Sequence, residues 1–498
     1  MNIADNLLFI FELANNHQGD VHHGLRIIDE MAQITHRHGV QGAIKLQYRD
    51  LDTFVHRDFV ARQDVAHIPR FLNTRLSPDN FQTLVDAARR QGLRTICTPF
   101  DEHSVQSILD HGIDIIKVAS CSALDWPLLE RIISADKPVI ASTGGLSLTQ
   151  IDKLASFLTH RNESISLLHC VGLYPTPNEE LNLAFMARLI HRYPSLTIGY
   201  SGHEAPDNLD PVRVAVSLGA KILERHVGVP TATVKLNAYS MNPTQTDAWV
   251  ATALKTRSIL GLASAKMVSQ DEQASLRSLQ RGTYARHPIG KGTLMTAGDV
   301  YFAMPCQADQ LTSGQFGTYR AAYTASRDYA AHEPCIESPQ VDPMEDTRDI
   351  IHDAKGLLSE AQVRIGRDFS IELSHHYGLP RFRHWGVLMV NIINREYCKK
   401  VLVMLPGQAH PNHRHMKKEE TFQLLWGDLQ VNLNGVDHDL EPGDKLVVER
   451  GTWHAFSSRT GCVFEEISTT HFLHDSYYED PAVARLDPIA RKTVIDSW

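Results

Sequence analysis

Residues 95–145 read TICTPFDEHSVQSILDHGIDIIKVASCSALDWPLLERIISADKPVIASTGG. Three short apolar runs, 95–100, 115–120 and 139–143, alternate with segments of helical character. Each run carries polar residues at or near its end: Thr98, then Lys117 with Ser120, then Ser142 with Thr143. A short apolar run followed by an amphipathic segment is a strand feeding a helix. Working outward, the same unit recurs at 7–14, 42–47, 166–171, 197–202 and 222–227, eight in all within the first 260 residues or so. The segment SPDNFQTLVDAARRQG (77–92) shows the helix signals in full, a serine N-cap and a glycine stop. Eight such units predict a (β/α)8 barrel. An open doubly wound sheet would place a Gly-rich turn after its first strand, and this chain has none.

In such a barrel the C-terminal strand ends build the active site. Here they carry Glu12, Asn16 and His17, Lys45 and Gln47, Thr98, Lys117 and Ser120, and Ser142 and Thr143. The later strands add His169 and Tyr174, Ser201 and His203, and Glu224 and His226. A lysine inside a near-apolar strand is costly unless paired, and two of them point to an anionic ligand. Ser142-Thr143-Gly144-Gly145 before a helix predicts a phosphate cradle of free N–H groups. His203 and His226 end neighbouring strands, and two imidazoles with open positions can hold a metal that polarises a carbonyl.

The second half has a different chemistry. Lys399–Trp426 reads KKVLVMLPGQAHPNHRHMKKEETFQLLW, with Gly407, His413, His415, Glu420 and Gly427 in register and His454 arriving after Pro442-Gly443-Asp444. His413 and His415, two apart, share one face of a strand. Three histidines and a glutamate in a small β-barrel predict one divalent metal, Mn, Fe, Ni or Zn rather than Ca. Trp426, Trp453, Phe456 and Phe464 are expected to line or pack that barrel. The pattern resembles both cupin motifs, with Glu449 where the second usually has proline.

The 498 residues exceed one core, and a net charge of -9 with no basic run excludes a nucleic-acid binder. The N-terminal stretch has no basic leader and no bilayer-length apolar run, so no membrane association is expected. Seven scattered cysteines suit a reducing cytoplasm.

FELANNHQGD, AIKLQ, CTPFDEHSV, IIKVAS, ASTGG, LLHCVGLYPTP, GYSGHE and GAKILERHV stand in order across residues 1 to about 260 and resemble the motifs of the sialic acid synthase family. The resemblance implies condensation of phosphoenolpyruvate with a sugar aldehyde to a nonulosonic acid and phosphate, with Mn or Mg in the barrel. Lys45, Thr98, Lys117, Ser120, Ser142 and Ser201 would then hold phosphoenolpyruvate, and His203 and His226 the metal. Glu12, Gln47, Tyr174 and Glu224 would face the sugar or the attacking water, with Glu12 the first candidate acid–base group and Glu224 the second. Three departures fall on the acceptor side: Cys121-Ser122 replaces a glycine–glutamate pair, Gly172 an asparagine, and Leu236-Asn237 part of a sugar-binding stretch. The same reaction on a different aldehyde is the expectation, because a lost hydroxyl contact discriminates strongly between sugars.

Residues 275–335 resemble the antifreeze-like (SAF) domain of the same family. That implies a homodimer in which this domain reaches the partner's barrel, with Arg281, or else Arg277 or Arg286, meeting the acceptor. The expected organisation is a barrel over 1–265, the antifreeze-like domain over 275–335, a proline- and acid-rich linker over 336–349 and a cupin over 350–498. For the cupin the sequence leaves sugar isomerisation or epimerisation open beside a non-catalytic sugar-sensing or scaffold role. For the barrel it leaves a pyruvate-dependent aldolase as the alternative.

Overall fold

The computed structural model describes residues 7–65, 67–162, 164–261, 266–317, 323–337 and 343–495. The chain forms two compact units, Met1–Met267 and Val268–Trp498.

The first unit is the expected (β/α)8 barrel. Strands β1 (Leu8–Glu12), β2 (Gln41–Tyr48), β3 (Arg94–Pro99), β4 (Ile115–Val118), β5 (Val139–Ser142), β6 (Ile165–Cys170), β7 (Thr197–Gly202) and β8 (Ile222–His226) run parallel, and β8 closes onto β1. Their inward positions repeat every two residues. Leu8, Ile10, Ala43, Ile96, Ile115, Ile140, Leu168 and Ile222 form an apolar plug inside the barrel. The next inward position on each strand, two residues further, is Glu12, Lys45, Thr98, Lys117, Ser142, Cys170, Ser201 and Glu224. Gly199 supplies the inward position of β7 in the plug, where a Cβ would lie 2.4 Å from the Ile222 carbonyl oxygen. The outward faces, with Phe9, Phe11, Leu46 and Val118, pack on the surrounding helices in a larger core. Those helices carry their own stops: Ser77 caps Pro78–Arg90, and Ser147 with Gln150 forms a capping box on Leu148–Thr159.

In the second unit, residues 282–337 hold two antiparallel pairs, Gly282–Ala285 with Val300–Ala303 and Leu294–Met295 with Tyr323–Thr324. Ala285, Ile289, Val300, Leu311, Tyr323 and Tyr329 are buried between them. The linker expected over 336–349 is shorter than the sequence suggested, because an α-helix begins at Pro343 and runs to Glu360. Proline suits a first helical turn, where its missing N–H is not needed. Ile350, Ala354 and Leu358, spaced by four, then bury one helix face against Leu373 and Phe382.

Two antiparallel sheets follow, of seven and five strands. Glu420–Gly427, Cys462–Thr469 and Tyr397–Met404 lie in the first, and Gln408–His415, His454–Ser458 and Leu429–Leu433 in the second. Phe422, Phe456 and Phe464 are core residues between them, as the sequence suggested for two of the three. Trp426 packs at the margin of the adjoining cluster, and the Trp453 ring lies 4.6 Å from the Arg414 guanidinium. Among the described residues no helix is long and apolar enough to cross a membrane.

Candidate active site and metal centre

The polar layer above the barrel plug is an alternating charge network. Lys45 Nζ lies 2.6 Å from Glu12 Oε2 and 2.8 Å from Glu224 Oε1. Lys117 Nζ lies 3.7 Å from the same Glu224 oxygen and donates to Ser142 Oγ at 2.5 Å. Ser201 Oγ donates to Glu224 Oε1 at 2.8 Å, and the Ala14 N–H donates to Glu12 Oε1 at 2.7 Å. Burial raises the Glu12 carboxyl above the usual range. Burial acts on Glu224 in the same sense, but Lys117 and Lys45 outweigh it and hold that carboxyl well below the usual range. Burial lowers Lys45, while Glu12 and Glu224 more than restore its charge; Lys117, with one distant carboxylate, is drawn down by burial. The two carboxylates therefore differ in direction, Glu12 pushed up by burial and Glu224 held down by the two lysines.

His203, just past β7, and His226, the last residue of β8, have ring centres 5.4 Å apart. His203 Nδ1 sits 3.0 Å from the Val171 carbonyl oxygen, which leaves Nε2 for a metal. Burial brings His203 down to about 4 and His226 well below its usual range, so both rings are neutral with a lone pair to offer. Glu224 Oε2, on the same strand as His226, is buried without a hydrogen-bond partner. Two neutral imidazoles with ring centres 5.4 Å apart can offer two ligands to a divalent ion. The Tyr174 ring stands 4.3 Å from His203, and Tyr239, which the sequence did not single out, stands 5.0 Å from His226.

Several expected residues do something else. His169 faces away from the barrel axis, with Nε2 2.7 Å from the Leu181 carbonyl oxygen, and Cys170 takes the inward place on β6. Counting by two from Leu168 would have found it. The cradle expected at Ser142–Gly145 has occupied amides: Thr143 N–H donates to the Leu168 carbonyl and Gly144 N–H to Ser120 Oγ. The helix beyond is closed by its own capping box. Thr143 Oγ1 also donates to Leu168 O, and Asn16 Nδ2 braces Val227 O and Ser240 Oγ. Thr98 is buried, Gln47 accepts a hydrogen bond from Arg49, and Tyr174 is 54% exposed. Arg281 belongs to the second unit, exposed and 6.0 Å from the centre of the Phe302 ring.

In the second unit His413 and His415 on one strand and His454 on its neighbour bring one ligand nitrogen each within 4.8 Å of one another. Their Nδ1 atoms lie 3.1, 2.7 and 3.1 Å from the carbonyl oxygens of Pro411, Asp475 and Thr452. A carbonyl can only accept, so each Nδ1 carries a proton and each Nε2 is the nitrogen left to face a metal. Burial holds His413 well below its usual range and His415 at about 4. Glu420 Oε2 lies 3.2 Å from His454 Nε2, and both atoms are buried with no hydrogen-bond partner. Three ring nitrogens within 4.8 Å of one another, with a carboxylate oxygen 3.2 Å from one of them, fit a divalent metal. Lys418 pairs with the other Glu420 oxygen and lies 3.0 Å from Glu466 Oε1, to which Ser468 Oγ also donates.

The family model of the NeuB family matches residues 31–265, and that of the cupin domain matches 400–465. Among solved structures, that of a Chromobacterium violaceum protein described as spore coat polysaccharide biosynthesis protein E is 47% identical, with a TM-score of 0.64. The likeness covers 66% of this chain and 98% of that one. An uncharacterised Methanocaldococcus jannaschii protein is 28% identical over 58% of this chain and 82% of its own length. Human N-acetylneuraminate-9-phosphate synthase is 26% identical over 58% of this chain and 80% of its own. By its barrel the chain belongs to the NeuB family, and a cupin domain follows that barrel in the same polypeptide.

Proposed function

We propose that the barrel condenses phosphoenolpyruvate with a sugar aldehyde and water, giving a 3-deoxy-2-ulosonic acid of the nonulosonic type and phosphate. The observation that carries this reading is the buried Glu12–Lys45–Glu224–Lys117 layer beneath the His203–His226 pair, at the C-terminal mouth of a NeuB-family barrel. A divalent ion on His203 and His226, Mn or Mg, supplies polarisation of the aldehyde carbonyl. Lys45 and Lys117, with Thr98, Ser120, Ser142 and Ser201, hold the phosphate and carboxylate of phosphoenolpyruvate. The enol C3 bonds to the aldehyde carbon, water adds at C2, and the C2–O bond to phosphate breaks. Glu12 takes the proton from that water or passes one to the new alkoxide, which its raised carboxyl suits. Glu224 stays ionised and keeps the lysines in place. Gln47, Tyr174 and, from the partner subunit of a homodimer, the antifreeze-like domain with its Arg281 position complete the acceptor side.

The cupin's metal centre supports a second reading, isomerisation or epimerisation of a sugar that feeds the barrel. Its Lys418–Glu466 pair beside the metal ligands is the kind of proton-transfer group such a reaction needs. A non-catalytic sugar-sensing or scaffold role is the alternative. The test is consumption of phosphoenolpyruvate and release of phosphate with Mn and a panel of plain and N-acylated aldoses. Release that depends on one aldose, abolished in His203→Ala and kept in His413→Ala, is the expected result. An aldolase would cleave or form the same bond with pyruvate and release no phosphate. No release with any aldose overturns the proposal.

A further inference from the structure

Beside the polar layer the first unit holds a cavity of about 440 Å³ of which the reaction scheme uses Gln47 alone. Its volume lies in the range of small-molecule sites, roughly 300–1,000 Å³. The loop after β2 walls one side, and the first turns of helices Pro78–Arg90 and Glu102–Asp110 wall the others. Gln47 lines it from the inward face of β2, two residues beyond Lys45, so the cavity begins one step from the charged layer.

The charges in this cavity are unequal in their partners. Arg75 is held by Asp52 through two hydrogen bonds of 2.9 and 2.6 Å, and Asp50 takes the Thr53 hydroxyl at 2.7 Å. His111 Nδ1 is bonded to the Tyr48 hydroxyl at 2.8 Å, and burial brings His17 down to about 4 and so leaves it neutral. Arg49 differs. Its guanidinium lies between two phenyl rings, 4.1 Å from the centre of Phe71 and 3.6 Å from that of Phe100. It donates from Nη2 to Gln47 Oε1 at 3.0 Å, its buried Nε has no acceptor, and no described carboxylate forms an ion pair with it. Burial draws it down only to about 10, so it stays charged at neutral pH.

Glu12 and Asp101 favour the Arg49 charge only from a distance, and a partly buried cation with no carboxylate in direct contact gains from a ligand that brings an anion. Two rings against the guanidinium limit its movement, and a guanidinium is the side chain that recognises phosphate or carboxylate by charge-assisted hydrogen bonds. We infer that the cavity is an acceptor subsite for an oxyanion, phosphate or carboxylate, carried on the sugar at the end remote from its aldehyde, with Arg49 as its partner. The inference rests on the barrel taking an aldehyde acceptor. It makes the acceptor a sugar phosphate or sugar acid rather than a neutral N-acyl hexosamine.

The test uses the full chain. Consumption of phosphoenolpyruvate is followed with matched acceptors: N-acetylmannosamine against its 6-phosphate, mannose against its 6-phosphate, and glucose against glucuronate. In parallel, calorimetry without phosphoenolpyruvate measures binding of each sugar and of inorganic phosphate. One charged series should show a KM lower than that of its neutral parent by about tenfold or more. The phosphate and uronate arms decide which oxyanion it is. In Arg49→Met that ratio should fall to about one, and in Arg49→Lys, which keeps the charge but loses the planar fork, it should be intermediate. Equal KM values for charged and neutral acceptors, or a ratio that survives Arg49→Met in folded protein, overturn the inference. Arg49-dependent binding of a sugar phosphate or uronate without turnover of any acceptor would support the subsite while defeating the proposed condensation.

Discussion

Lys45 lies between two carboxylates, and its removal would leave Glu12 and Glu224 facing each other in a buried layer. Lys45→Met should therefore destabilise the barrel by about 3–5 kcal/mol, read from urea unfolding, because breaking a buried ion pair strands its partners. Lys117→Met should cost less stability, since its contact to Glu224 is 3.7 Å and Lys45 remains, yet should abolish turnover as well. His17 is one of several buried histidines, His203 and His415 among them, that make stability depend on pH. Burial holds it at about 4 in the folded chain against an ordinary 6.5, so the unfolded chain takes up the proton first as pH falls. Its contribution is complete above about 6.5 and lost as pH drops toward about 4, by at most about 3 kcal/mol. His17→Asn, which keeps an acceptor for the Gly19 N–H, should make that acid limb of the thermal midpoint shallower by the His17 share while the other buried histidines keep theirs. The inward polar residues were legible from the sequence because a strand alternates. Their partners were not, since Lys45 meets Glu224 only through barrel closure and Tyr239 meets His226 only because the loop after β8 folds back on that strand. His169 was misplaced by one residue of register, which turns a side chain to the other face.

Strands and helices of the barrel were readable because each repeats one short local pattern. The segment 336–349 was not, since proline and acid mark both a linker and a first helical turn. Its helix becomes evident only through Ile350, Ala354 and Leu358, which lie beyond the polar stretch. Two glycines separate packing from chemistry at this scale. Gly199→Ala should destabilise β7 by about 1–3 kcal/mol, because its Cβ would meet the Ile222 carbonyl at 2.4 Å and Leu168 Cδ2 at 2.7 Å. Gly172→Asn meets nothing within 4 Å and should leave the thermal midpoint unchanged within about 0.5 kcal/mol. The same variant restores the residue expected at that place in sialic acid synthases, so its acceptor profile, measured beside its stability, reports on chemistry alone.

Among the described residues one three-histidine cluster, with Glu420 3.2 Å from His454, lies in the second unit, and the first unit offers the His203–His226 pair as the proposed second site. Metal analysis of protein loaded with Mn should find about two ions per chain, from the ligand counts of the two sites. His413→Ala with His454→Ala should lower this by one and spare phosphoenolpyruvate consumption, whereas His203→Ala should lower it by one and abolish consumption. Both sets were visible in the sequence as spacings. What spacing could not show is how the rings are held. In the cupin domain all three Nδ1 atoms meet main-chain oxygens, of Pro411, Asp475 and Thr452. Ring orientation there is set by main-chain oxygens rather than by neighbouring side chains. Variation that alters the affinity or reactivity of this centre has to act through the opposite wall, where Lys418 and Glu466 set how much charge Glu420 can give the metal. The centre is thus rigid on one side and adjustable on the other, and divergent relatives should differ at the Lys418–Glu466 side while keeping the carbonyl contacts.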